Sequence, residues 1–215
     1  MKGTYPKNKT IVAALAALAW FGLLLQFFIT LQSNIQSGHG VVRGIVIFLG
    51  YFTILTNLVV CLALTVPLLA PSTPAGRFFA RSDVNAGVAT SIVFVGLAYY
   101  FLLRNVWNPQ GLSLLANAIL HYVTPALFLI YWWFAFPKGA LRWSYPLIWS
   151  IYPTAYMAYV LIRGEIIGHY PYGFIDPSAI GYQRTMINAV GLLMVFIALG
   201  LILVAVARLQ RRVST

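Results

Sequence analysis

LSLLANAILHYVTPALFLIYWWFAF, residues 112–136, is the stretch on which the fold turns. It lies in a window, 105–137, of 33 residues without a Lys, Arg, Asp or Glu. A helix crosses a hydrocarbon core of about 30 Å with about 20 mainly apolar residues, so this run is long enough to span. Within lipid the backbone must satisfy its own hydrogen bonds, which dictates a helix rather than an open strand. Five further windows share the character: 10–42 (33 residues), 44–76 (33), 84–103 (20), 143–162 (20) and 185–207 (23). Together they predict helices over 11–31, 45–69, 86–104, 112–136, 144–163 and 184–207. The expected fold class is all-α, a polytopic membrane protein of six transmembrane helices forming one domain over 1–215.

Composition points the same way. Of 215 residues 61% are apolar and 8% charged, with 14 Lys+Arg against 3 Asp+Glu and a net charge of +11. A soluble domain carries about a quarter charged residues, so a water-soluble globule is excluded. The basic balance suggests nucleic acid, but the charges are too few to make a solvated surface, and no nucleic-acid partner is expected. Their placement explains the imbalance. With the N-terminus inside, Lys2, Lys7, Lys9, Arg77, Arg81, Lys138, Arg142, Arg208, Arg211 and Arg212 fall on the inner side. Arg43, Arg104, Arg163 and Arg184 fall outside. Ten against four predicts that both termini are cytoplasmic. The first apolar run, about 20 residues, exceeds a 7–15-residue signal core and is expected to stay as an anchor. The basic tail reads as a topology determinant beside anionic headgroups. Cys61, the single cysteine, reads as a small apolar core residue in the second span.

Polar groups inside the spans are therefore the informative positions. His121 is the single histidine within a predicted span, and Asn117 shares its helix face four residues earlier. In the second span Thr53 and Asn57 share a face by the same spacing. Counted along continuous helices, Thr53 and His121 each fall about 14–15 Å below the outer boundary, so they can meet if spans two and four adjoin. Each also has a plainer reading: Thr and Asn often join membrane helices, and a buried His is often a structural hydrogen-bonder. On the fifth span Tyr145, Trp149, Tyr152, Tyr156, Tyr159 and Arg163 form one stripe, read as packing and interface anchoring, with a kink expected at Pro153. Arg163 is expected to snorkel to the surface or pair with Glu165. No acidic cluster in a span offers an ion relay, and no His/Cys/carboxylate grouping supplies a zinc site. No metal and no organic cofactor is implied.

Thr53 with its following Asn, His121 preceded by Asn117, and the Gly168–Asp176 run with its Gly-x-Tyr-x-Tyr-x-Phe-x-Asp pattern resemble the androgen-induced, FAR-17a-like family. These are multi-span membrane proteins with bacterial six-span relatives, and animal members are threonine hydrolases of fatty acid esters of hydroxy fatty acids. The resemblance implies a membrane-embedded lipid-ester hydrolase, located in a bacterial inner membrane, acting on a fatty acyl ester drawn from the bilayer. It places the nucleophile on Thr53 and the catalytic histidine on His121. Asn57 falls four residues after Thr53 where animal members have Asn or Asp three after, which keeps Thr56 as a second candidate nucleophile. A histidine base would take the threonine proton during attack and return it to the leaving alkoxide. Asn57, Asn117 and Tyr156 are the candidate donors to the oxyanion. Arg163, or Arg184, is a candidate to hold a substrate carboxylate bidentately. The competing expectation is a small-molecule or lipid transporter, or a non-catalytic lipid-binding protein, because Pro125 and Pro153 interrupt two spans as transporter helices are interrupted.

Overall fold

The computed structural model describes residues 8–136 and 141–213, with side chains through 209. Lys2, Lys7 and Lys138 of the expected inner face lie outside the described residues, as do the side chains of Arg211 and Arg212. Among the described residues there is no strand. The chain runs through α1 (Lys9–Gln36), α2 (Val41–Phe48), α3 (Phe52–Leu69), α4 (Pro74–Phe79) and α5 (Ser82–Ala98). It continues through α6 (Gly111–Ala118), α7 (Thr124–Ala135), α8 (Tyr145–Trp149), α9 (Ile151–Ile167), α10 (Pro177–Ile180) and α11 (Tyr182–Val213). A π-helical turn, Tyr99–Leu103, extends α5, and a second, Ile119–Val123, joins α6 to α7.

Five helical segments are long and apolar enough to cross a membrane: Lys9–Gln36, Phe52–Leu69, Ser82–Leu103, Gly111–Ala135 and Tyr182–Leu209. These coincide with five of the six expected spans. The expected helix over 144–163 is instead two pieces, α8 and α9, parted at Ser150. At 17 residues α9 is about 26 Å long, a little short of a full crossing. Pro153 does not kink it. It sits in the first turn, where a missing N–H removes no helical bond.

The packing is that of a membrane bundle. Val12, Ala16, Ala19, Gly22 and Leu23 line the buried face of α1. Ala63, Ala86 and Ala89 meet the same core from α3 and α5. Small residues let helices approach closely where lipid supplies no hydrophobic drive. Outward faces are apolar as well, with Ile187, Val190, Met194, Val195 and Ile202 exposed along α11.

The second expected span, 45–69, is also broken, because α2 stops at Phe48 and α3 starts at Phe52. Thr53 thus stands in the first turn of α3 rather than midway along a continuous helix, and depth counted from Arg43 does not apply to it. A break in a membrane segment strands backbone carbonyls, and each needs a donor. The amides of Leu49, Gly50 and Tyr51 reach the carbonyls of Ile45, Ile47 and Phe48. Three carbonyls remain, and the α9 stripe satisfies all of them. Arg163 donates to Val46 O from Nε (3.1 Å) and Nη2 (2.7 Å), Tyr159 OH donates to Leu49 O (3.3 Å), and Tyr156 OH donates to Gly50 O (2.9 Å). The stripe divides at Ser150, for Tyr145 stacks on Trp149 and Trp149 lies against Gly87 of α5.

Arg163 is accordingly 6% exposed, with Nη1 donating to His169 O at 3.2 Å, and it neither snorkels nor pairs with Glu165. Glu165 accepts instead from Tyr170 and Tyr182, each at 3.2 Å. Gly50 is required beside it, since a Cβ there would lie 2.6 Å from Arg163 Cζ. Gly50→Ala is expected to cost about 1–3 kcal/mol through overpacking, and Arg163→Met about as much for each carbonyl left without a donor. Melting of the purified protein in detergent measures both, and exposed Arg184→Met should leave the midpoint unchanged.

Candidate active site

Pro125 shapes the ground on which His121 stands. Having no N–H, it cannot serve a carbonyl in the preceding turn. The Thr124 N–H bonds Ile119 O five residues back, which makes the turn π-helical. Leu120 O thereby loses its usual donor at Thr124, and the next position is the proline. Asn57 of α3 replaces it, with Nδ2 donating to Leu120 O at 3.3 Å and to Thr53 O at 2.9 Å. The second and fourth expected spans therefore adjoin through this amide. Single π-helical turns recur at functional sites, and this one carries His121.

The imidazole is fixed on two sides. Its Nδ1 lies 3.1 Å from Asn117 O, and its ring stacks on Tyr99 at a 4.0 Å centroid distance and 25°. A carbonyl only accepts, so Nδ1 carries the hydrogen and Nε2 of the neutral ring is a bare acceptor. Asn117 Nδ2 also donates to Tyr99 OH at 2.7 Å, which locks the stacking partner. The backbone carbonyl of Asn117, rather than its side chain or a carboxylate, orients the ring. All three carboxylates are engaged elsewhere: Asp83 with Arg81 (2.6 Å), Glu165 with its tyrosines, and Asp176 as the N-cap of α10.

Thr53 and His121 line one cavity of about 530 Å³, together with Asn117, Tyr99 and Tyr172. Thr53 lines a second, apolar cavity of about 200 Å³ between α5, α9 and α11, walled by Phe94, Met157 and Leu193 among others. Thr53, Tyr99, Leu103 and Tyr172 border both cavities, so Thr53 stands at the waist between them. Thr56 borders neither. It is fully buried and hydrogen-bonded to Tyr152 OH at 3.0 Å.

Tyr172 reaches the waist from the loop between α9 and α11. Its hydroxyl accepts from Thr53 N–H (3.3 Å) and lies 3.5 Å from Thr53 Oγ1, supplying the first turn of α3 with a partner its own N-cap lacks. Its ring is held edge-on by Tyr51 and stacked on Phe174.

The expected oxyanion donors separate on this geometry. Both amide hydrogens of Asn57 are engaged on carbonyls, and Tyr156 OH serves Gly50. Asn117 borders the larger cavity, uses one amide hydrogen on Tyr99, and has an Oδ1 without a partner. Arg163 is committed to backbone carbonyls, and the exposed Arg184 borders neither cavity.

Sequence reasoning missed Tyr99, which meets His121 and Asn117 across the turn between consecutive helices, and the role of Tyr172 at Thr53, a contact 119 residues apart in the chain. It also missed a row on α1, Gln26, Thr30, Ser33 and Asn34, which lines the larger cavity. That row was visible as polar residues at helical spacing in the first charge-free window. Comparison with protein-family models, curated proteins and solved structures finds no match.

The loop bearing Tyr172 also contains an acid-sensitive group, His169. Burial of His169, then the nearby Arg163 and Arg43 charges, push its pKa below the usual 6.5, with Asp176 opposing in part. Between 6.5 and the lowered value the unfolded chain binds a proton that the folded loop does not. Stability is therefore expected to fall as pH drops below 6.5 and to be insensitive to this group above it. Melting curves at pH 7.5 and pH 5 should show the loss, and His169→Gln should reduce the difference.

Proposed function

We propose that this protein is a membrane-embedded lipid-ester hydrolase with Thr53 as nucleophile and His121 as general base. The observation that carries the proposal is the sharing of one cavity by Thr53 and an imidazole whose Nε2 is left as the free acceptor, with an apolar slot on the far side of Thr53. An ester whose acyl chain lies in that slot brings its carbonyl carbon to the waist. Thr53 Oγ1 turns from Tyr172 towards the imidazole, Nε2 removes its proton, and Oγ1 attacks the carbonyl carbon. The oxyanion accepts from the second Asn117 amide hydrogen and from Tyr99 OH. Collapse expels the alkoxide, which takes the proton from Nε2. Water, deprotonated by the same nitrogen, then attacks the acyl-threonine; the fatty acid leaves as Nε2 returns that proton to Thr53 Oγ1.

The proposal includes the topology that the basic residues favour. The α8–α9 segment is the sixth membrane segment, both termini face the cytoplasm, and the membrane is a bacterial inner membrane. The loops at 37–40, 104–110 and 168–181 then gather at the outer face, where Asn34, Trp107 and Pro171 border the larger cavity.

Thr53→Ala and His121→Ala are each expected to lower kcat/KM for a long-chain 4-nitrophenyl ester by about a thousandfold or more, and the double variant no further, because the pair acts as a unit. Thr56→Val should stay within a few-fold of the parent. A fluorophosphonate adduct is expected on Thr53, and an adduct mapped elsewhere would refute the assignment. The broken α2–α3 and α8–α9 segments also suit a lipid carrier, whose binding sites use discontinuous helices. A carrier has no reason to activate a threonine, so absence of both labelling and turnover would favour it.

A further inference from the structure

The two cavities differ in a way that bears on the alcohol half of the ester. The smaller is bordered almost wholly by apolar side chains. The larger carries the α1 row Gln26, Thr30, Ser33 and Asn34, with Ser113 from the first turn of α6. Such a row is costly on a helix that faces lipid. Here Gln26 Nε2 donates to Thr30 Oγ1 (3.2 Å) and Asn34 Nδ2 to Thr30 O (2.9 Å), so each amide retains its oxygen and one hydrogen for a ligand. Deeper in the same cavity the Oδ1 of Asn117, a residue 4% exposed, has no partner. Among the described residues, no charged side chain borders either cavity. Arg163 is engaged on Val46 and His169 carbonyls, and Arg104 lies 3.9 Å over the Tyr100 ring. An ionised carboxylate buried there would lack a counter-charge, whereas hydroxyls would find donors and acceptors.

We infer that the site takes the long-chain monoester of a neutral polyol, of the glycerol type, in preference to an ester that bears a free carboxylate. The inference rests on the hydrolase reading and specifies its substrate. The acyl chain fills the apolar slot, the ester carbonyl lies at Thr53, and the polyol hydroxyls bond Gln26, Asn34 and Ser113.

The test compares 1-palmitoylglycerol, the palmitoyl ester of a long-chain hydroxy acid, and 4-nitrophenyl palmitate on the full chain in detergent. The glycerol ester is expected to be turned over with a kcat/KM about tenfold or more above the carboxylate-bearing ester. Gln26→Leu and Asn34→Leu should each lower it about tenfold, while 4-nitrophenyl palmitate, which has no polyol, stays within about twofold. Equal or faster turnover of the carboxylate-bearing ester overturns the inference, as does indifference of the glycerol ester to both variants. Failure of the hydrolase reading is distinct, appearing as no turnover of 4-nitrophenyl palmitate and no label on Thr53. Binding of 1-O-hexadecylglycerol, which has no ester to cleave, then decides. Affinity about tenfold above that of palmitate upholds the polyol preference, and equal or weaker affinity overturns it.

Discussion

A helix that breaks among packed helices must find donors for the carbonyls that the break exposes, and the α2–α3 break is the constraint around which this structure is arranged. Left without donors where the chain packs, the carbonyls of Val46, Leu49 and Gly50 would each cost about 1–3 kcal/mol. Arg163, Tyr159 and Tyr156 supply the donors from one face of α9. That service fixes where α9 lies. It also explains an arginine that is 6% exposed yet has no carboxylate beside it: its partners are backbone dipoles. In exchange, the break presents the first turn of α3, and Thr53 with it, to both cavities.

The second interruption follows the same logic at smaller scale. Pro125 and the π-helical turn before it deprive Leu120 O of a helical donor, and Asn57 fills the gap from α3. One amide thus ties the helix of the candidate nucleophile to the turn of the candidate base. Gly96 allows α5 to approach this turn closely, since a Cβ there would meet His121 O at 3.2 Å and Pro125 Cβ at 3.3 Å. Tyr99 can then stack on the imidazole. Irregular backbone at both places is tolerated because it is buried in protein or borders a cavity, which is where a membrane protein can hold it.

Much of this was legible along the chain. Charge-free windows located five helices long and apolar enough to cross a membrane, and the scarcity of polar residues within them singled out Thr53, Asn57, Asn117 and His121. All four lie within one connected set of hydrogen bonds and cavity walls. The tyrosine stripe was legible as a stripe, but its partner was not, because orphaned carbonyls leave no mark in the side-chain sequence. Nothing in the order of residues distinguished a continuous 45–69 helix from one broken at Gly50, for the apolar character is unbroken across the gap. Tyr172 likewise stands in the sequence only as part of the Gly168–Asp176 pattern, and the loop that carries it to Thr53 is visible only in the fold.

What the sequence by itself determined is the solvent and the inventory. Long apolar windows require lipid around them, and few polar side chains within them means that each must bond or border a cavity. What only the tertiary structure decided is which of those groups are committed and which are left free. Arg163, the Asn57 amide and Tyr156 are held on backbone carbonyls, while among the described residues Thr53 Oγ1 meets only the Tyr172 hydroxyl at 3.5 Å and His121 Nε2 and Asn117 Oδ1 are left without a partner. The physical reason is that commitment depends on where the backbone breaks and which helix faces the break. Both are set by packing between segments as much as 119 residues apart.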